Sequence, residues 1–176
     1  MRSSPGNLNS INHPQSLEYM NKKAKEQEET SVLTELNSES IKELWSKTYN
    51  TEGKPDWSHI LPYYDDRIYF RDSIQELHGM EAFRAMTERL TDRSKDLTMK
   101  IARTAQQGKD IFIEWEMTIT FRKNPNSVMY GSSRVTLNDD GKIIEQRDYY
   151  DLWGDIFDNI PRFGKAYRRF MRRKFG

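Results

Sequence analysis

The chain has 176 residues, 35% of them hydrophobic, 31% charged and none cysteine, with a formal net charge of +1 at pH 7. That length suits one domain with tails, and the lack of cysteine excludes a disulfide framework, a thiolate zinc site and a cysteine nucleophile. No run approaches the ~18 apolar residues of a membrane span, and Met1-Arg2-Ser3-Ser4-Pro5 opens no secretory leader, so the expectation is a soluble, cytoplasmic protein.

Residues 1–37 are rich in Asn, Ser, Pro, Gln, Glu and Lys with little apolar periodicity, which predicts a mobile polar tail with at most transient helix near 18–29. The folded domain is expected over 38–155. Ser38 or Ser40 caps a first helix on which Ile41, Leu44, Trp45 and Thr48 recur at helical spacing, ended by Gly53-Lys54-Pro55. Asp56 caps a second, short helix through Trp57, Ile60, Leu61 and Tyr64. Arg67 to Asp72 alternates as a strand with Ile68, Phe70 and Asp72 on one face. Ser73–Gly79 is a short strand or loop, and Met80 to about Arg93 a helix with Phe83, Met86 and Leu90 inward.

Alternation then predicts a meander. Leu97, Met99 and Ile101 share a face; after Gly108-Lys109-Asp110 come Ile111, Ile113, Trp115, Met117, Ile119 and Phe121 against Phe112, Glu114, Glu116, Thr118 and Thr120. Asn124-Pro125-Asn126 turns into a strand with Met129, Gly131, Ser133, Val135 and Leu137 inward. Asp139-Asp140-Gly141 turns into the last, where Ile144, Gln146, Asp148, Tyr150 and Leu152 share one face.

One acid thus points where apolar residues point. A carboxylate there is costly unless hydrogen-bonded or solvated in a cavity, which makes Asp148 the leading candidate for chemistry and Asp72, ending another apolar face, the second. For both, a structural carboxylate bonded to tyrosine or backbone groups is the competing reading. Tyr150 and Tyr69 read as core or rim aromatics. The three histidines, His13, His59 and His78, offer no ligand spacing, so no metal is expected, and no glycine-rich phosphate loop suggests a cofactor.

Tyr63-Tyr64-Asp65-Asp66-Arg67-Ile68-Tyr69-Phe70-Arg71-Asp72 with His78-Gly79-Met80-Glu81-Ala82-Phe83, and Asp140-Gly141-Lys142-Ile143-Ile144-Glu145-Gln146-Arg147-Asp148-Tyr149-Tyr150-Asp151, resemble the nuclear-transport-factor-2-like superfamily. The resemblance implies an α+β fold, a cone-shaped barrel in which a curved, mostly antiparallel sheet wraps around N-terminal helices. Superfamily members include ketosteroid isomerases, SnoaL-like cyclases and limonene-epoxide hydrolases, beside domains without catalysis. Asp72 matches the general base of the isomerases, Ser133 their protonated aspartate, and Thr48, next to Tyr49 and Trp45, their helix-one tyrosine. Asp148 matches one acid of the hydrolases' Asp-Arg-Asp group, whose other acid falls at Glu116 and whose arginine falls at Glu114. The implied reading is a pocket protein in which Asp148 and Asp72 act as general acid-base on a small apolar substrate, with Tyr150, Ser133, Phe70, Trp45 and Glu116 lining it. The alternative is a non-catalytic carrier of a lipid-like ligand.

The match to the hydrolases turns Glu114 and Glu116 into the pocket, whereas the apolar alternation turns Trp115, Met117 and Ile119 inward. Burying two unpaired glutamates is the costlier arrangement, so the apolar set is favoured. The opposite parity leaves that stripe as an outer surface for a partner subunit, and homodimers through the sheet are implied by the resemblance. Residues 156–176 read as a basic amphipathic helix. Seven basic residues and no acid lie in 161–176, leaving the first 160 residues at net −6. Phe163, Tyr167, Phe170, Met171 and Lys174 form its stripe, which either docks on the protein's own body or rests on an anionic membrane surface. For nucleic acid the charge fits, but no motif supports it.

Overall fold

The computed structural model describes residues 33–49, 54–121, 127–157, 160 and 162–176. The chain divides into two compact units, Met1–Thr34 and Glu35–Gly176, and every element below belongs to the second. The expectations for the tail over 1–32, for Gly53 and for the Asn124-Pro125-Asn126 turn lie outside the described residues.

Helix α1 (Ser38–Tyr49) buries Ile41, Trp45, Thr48 and Tyr49. Its cap is one residue earlier than expected. Asn37 Oδ1 accepts from the backbone N–H groups of Glu39 and Ser40 at 2.9 and 3.0 Å, and Ser40 Oγ accepts from Asn37 N–H at 2.9 Å. This reciprocal arrangement satisfies donors at the helix start from both directions. The second helix expected from Asp56 contracts to a 3-10 turn, Leu61–Tyr63, because Pro62 supplies no N–H and Tyr64 already enters the sheet.

Strand β1 (Tyr64–Arg71) is followed by β2 (Glu76–His78), α2 (Met80–Arg93), β3 (Ser94–Gln107), β4 (Asp110–Phe121), β5 (Ser127–Leu137) and β6 (Ile143–Tyr150). A π-helical turn (Leu152–Ile156) leads on to α3 (Phe163–Phe175). The six strands run in the order β2-β1-β6-β5-β4-β3. All neighbours are antiparallel except β1 and β6, which pair in parallel across the crossover through α2 and the meander. The architecture is α+β with a curved, mostly antiparallel sheet, but the sheet stays open, with β2 and β3 as its edges, and does not close into a barrel.

The meander follows the alternation. Leu97, Met99, Ile111, Ile113, Trp115, Met117, Ile119, Met129 and Val135 are all buried, which settles the parity of β4 in favour of its apolar set. In β6 the parity is broken at its start: Leu137 faces Ile143 while Thr136 faces Glu145, so one extra residue is accommodated there. Ile143 is therefore buried where Ile144 was expected, and Gln146, Asp148 and Tyr150 keep the inward face. Phe83 on α2 packs on Tyr64 and Phe70 of β1, at ring separations of 4.7 and 5.6 Å, closing one side of the core.

Candidate functional site

Between the sheet and the helices lies a cavity of about 390 Å³, in the size range of small-molecule sites. Apolar side chains make most of its wall, among them Phe70, Phe83, Met99, Trp115, Met117 and Met129. Polar groups come from the sheet and from α2, whose Arg89 and Arg93 border the cavity too. Asp148 and Tyr150 come from β6, Ser133 from β5, and Asp72 from the end of β1; Trp45 enters from α1. Five strands and two helices converge here because every inward face of the meander points the same way.

Asp148 is half-buried in this wall, with one carboxylate oxygen hydrogen-bonded. Ser133, its register partner on β5, donates to Oδ1 at 2.6 Å, and Gln146 Nε2 donates to the same oxygen at 3.0 Å. Both donors are themselves oriented: Trp115 Nε1–H donates to Ser133 Oγ at 2.9 Å, and the Tyr64 hydroxyl donates to Gln146 Oε1 at 2.7 Å. Oδ2 has no partner among the described residues. Burial pushes the Asp148 carboxyl up to about 6, against the pull of the Ser133 and Gln146 hydrogen bonds and with a further push from Asp72.

Asp72 has a different setting. Its Oδ1 accepts from the backbone N–H groups of Ile74 and Gln75, both at 2.8 Å, which fold the chain into β2, and its Oδ2 accepts from the Tyr150 hydroxyl at 3.3 Å. One oxygen serves the turn and the other faces the cavity. Tyr150 is raised well above the usual phenol range by burial first and by the Asp72 carboxylate next, so it stays a proton donor. The Trp45 indole N–H approaches the Tyr64 hydroxyl without reaching hydrogen-bond geometry, and with Trp57 Nε1–H it is a buried donor lacking a partner among the described residues.

Of the residues expected to line the site, Asp148, Asp72, Tyr150, Ser133, Phe70 and Trp45 border the cavity and Glu116 does not. Glu116 lies on the outer face of β4, across from Lys100 and Tyr130, and Glu114 beside it pairs with Arg103 at 3.8 Å. Unbroken alternation along β4 forces this, since Trp115 and Met117 cannot turn inward unless their neighbours turn out. No Asp-Arg-Asp group can form from Asp148, Glu114 and Glu116. Thr48 is equally removed: its hydroxyl donates to Leu44 O at 3.1 Å and meets His59 Nε2 at 3.1 Å, away from the cavity. Among the described residues no cluster of His, Asp or Glu is placed to hold a metal ion.

Gln146 stands on the inward face where alternation put it, and its bond to Asp148 is what the structure adds. One contributor escaped the sequence. Tyr64 is 82 residues from Gln146 and is brought to it by the β1–β6 pairing, which no local signal announces. Trp115 depends on a vacancy in its neighbour: a Cβ on Gly131 would stand 2.4 Å from its Cη2 and 2.7 Å from the Tyr149 carbonyl oxygen. The glycine lets the indole lie across β5 and reach Ser133.

Structural comparison places the chain beside an epoxide hydrolase of the limonene-epoxide-hydrolase-like type from M. tuberculosis. That match has TM-score 0.57 and 17% identity, covering 75% of this chain and 94% of that one. A protein of ketosteroid isomerase-like fold from Catenulispora acidiphila matches with TM-score 0.60 and 13% identity, over 70% and 93% of the two chains. A putative isomerase of the SnoaL-like family from Agrobacterium tumefaciens matches with TM-score 0.51 and 18% identity, over 65% and 97%. Identities this low speak for the fold alone. Comparison with curated protein sequences gives no match. The model of the SnoaL-like domain matches residues 45–146, from Trp45 within α1 to Gln146 within β6. With the open curved sheet and the inward-facing meander in agreement, this match shows that the chain, whose fold is nuclear-transport-factor-2-like, belongs to the SnoaL-like domain family.

Proposed function

We propose that the cavity binds a small apolar molecule carrying one carbonyl, hydroxyl or epoxide oxygen, and that Asp148 moves a proton on it in an isomerase-, cyclase- or hydrolase-like step. The observation that carries this reading is the half-held carboxylate of a cavity-lining residue: Oδ1 is fixed by Ser133 and Gln146, Oδ2 has no hydrogen-bond partner among the described residues, and burial pushes the group up to about 6. A general base is most effective when its pKa lies near the working pH. Tyr150 stays protonated and, by turning its one O–H from Asp72 Oδ2, 3.3 Å away, to the ligand, supplies the donor for the substrate oxygen, while the apolar wall excludes competing water. Ser133 positions the base, because its own proton is committed to Asp148.

The carrier reading keeps the same cavity without turnover, and Asp148→Asn separates the two. Native mass spectrometry of the purified protein identifies the bound molecule. With it as substrate, the variant should retain affinity while kcat falls by at least about a hundredfold, the usual scale of acid-base assistance. In the parent protein kcat/KM should rise with pH through an apparent pKa near 6. Glu116→Gln, outside the cavity, serves as the control that changes neither. Equal turnover in Asp148→Asn would remove Asp148 as the proton-moving group, and no turnover of the bound molecule by the parent protein would leave the carrier.

We further propose a homodimer through the outer face of the sheet. Phe112, Tyr130 and Tyr149 are 45%, 61% and 46% exposed there, on three neighbouring strands. Such a patch on a curved sheet suits a second copy of the same surface.

A further inference from the structure

Helix α3 concentrates the chain's positive charge, and only half of its apolar stripe is covered. Phe163 and Tyr167 stack with Trp153 of the π-helical turn at 6.5 and 5.0 Å, and Phe157 joins Phe163 at 5.9 Å. The rest is open: Phe170 and Phe175 are 54% and 77% exposed, and Trp153 itself 47%. Arg169, Arg172, Arg173 and Lys174 are exposed and form no ion pair among the described residues. The turn that anchors α3 also borders the cavity, through Leu152, Ile156 and Phe157. Arg89 and Arg93, exposed at the end of α2 and unpaired among the described residues, border it too.

We propose that α3 and Trp153 dock on the surface of an anionic lipid bilayer, turning the cavity mouth toward it. Charge and shape agree on this occupant. A helix lying flat in the interface needs basic groups to meet anionic headgroups and a stripe of rings at headgroup depth. The series Phe163, Tyr167, Phe170, Met171, Lys174 keeps the 3.6-residue period, and Phe175 follows Met171 by four. Single-stranded nucleic acid would also meet cations and rings, but it does not require a stripe confined to one side of a helix. The part of the proposal in which an apolar ligand enters from the lipid rests on the function proposed above; docking does not.

Cosedimentation of the full chain with vesicles tests it, using phosphatidylcholine alone and phosphatidylcholine mixed with phosphatidylserine. Binding to the mixed vesicles is expected, with weak binding to the neutral ones. Replacing Arg169, Arg172 and Arg173 together by Gln should lower the partition coefficient about a hundredfold, at about fivefold per basic group. Phe170→Ser with Phe175→Ser should lower it as well. Both substitutions fall on exposed positions, and near-ultraviolet circular dichroism checks that the core is intact. Brominated lipid should quench Trp153 fluorescence, and that quenching should vanish in Trp153→Phe. Asp148→Asn should partition like the parent chain, so a failed function and a failed docking give different results. Undiminished partitioning of the arginine variant would overturn the proposal. So would preferential binding of an RNA oligonucleotide that displaces the vesicles, or a self-association through Phe170 and Phe175 that leaves the vesicles unbound.

Discussion

At Asp148 two opposing influences meet on one carboxyl: the apolar wall favours its neutral form, while Ser133 and Gln146 favour its anion. Burial prevails, and the folded-state value stands at about 6 against 3.8 for the free group. A carboxyl whose pKa is raised by folding contributes stability below its unfolded value, and that contribution is lost as pH rises through the folded one. The loss therefore falls between pH ~4 and ~6, with an upper bound of about 3 kcal/mol at 1.36 kcal/mol per unit. Urea unfolding of Asp148→Asn across that window should show the variant gaining on the parent protein as pH rises, since an amide carries no charge to bury. A stability difference independent of pH would mean the carboxylate is solvated after all. Asp148 was identifiable from its place in an alternating strand, but its raised pKa was not, because burial is its main cause and burial exists only once sheet and helices have packed.

The elements around it are coupled through one glycine. Gly131 on β5 leaves the room in which the Trp115 indole of β4 crosses toward Ser133, and Ser133 in turn orients the carboxylate of β6. Gly131→Ala would drive a methyl group into both the indole and the Tyr149 carbonyl. The expected cost is about 1–3 kcal/mol, the range of overpacking in a dense core. Near-ultraviolet circular dichroism should report the displaced tryptophan, and the Asp148 pKa, followed by NMR titration, should move because the Ser133 hydrogen bond weakens. Full retention of both signals would show that the strands can open at no cost. Strand and helix identities were readable here from periodicity. The reciprocal Asn37 and Ser40 cap was not, since three candidate capping residues stand within four positions and hydrogen-bond geometry chooses among them.

For the whole molecule, the open sheet offers two faces of different kind. The concave one is apolar and holds the cavity. The convex one mixes charge with exposed rings, and it is there that a second copy would sit. Tyr130→Glu, exposed and remote from the cavity lining, should shift the sedimentation coefficient from dimer to monomer while leaving the thermal midpoint of the fold nearly unchanged; an unchanged coefficient would remove the sheet face from consideration. Sequence alone determined the order of the strands and of the longer helices, the apolar inward faces of β3, β4 and β5 and the position of two acids, because these follow from a repeat of two along strands and of 3.6 along helices. It could not decide that the sheet stays open or that Tyr64 supports Asp148 through Gln146. Those depend on contacts between residues far apart in the chain, and their energies exist only once the strands have paired.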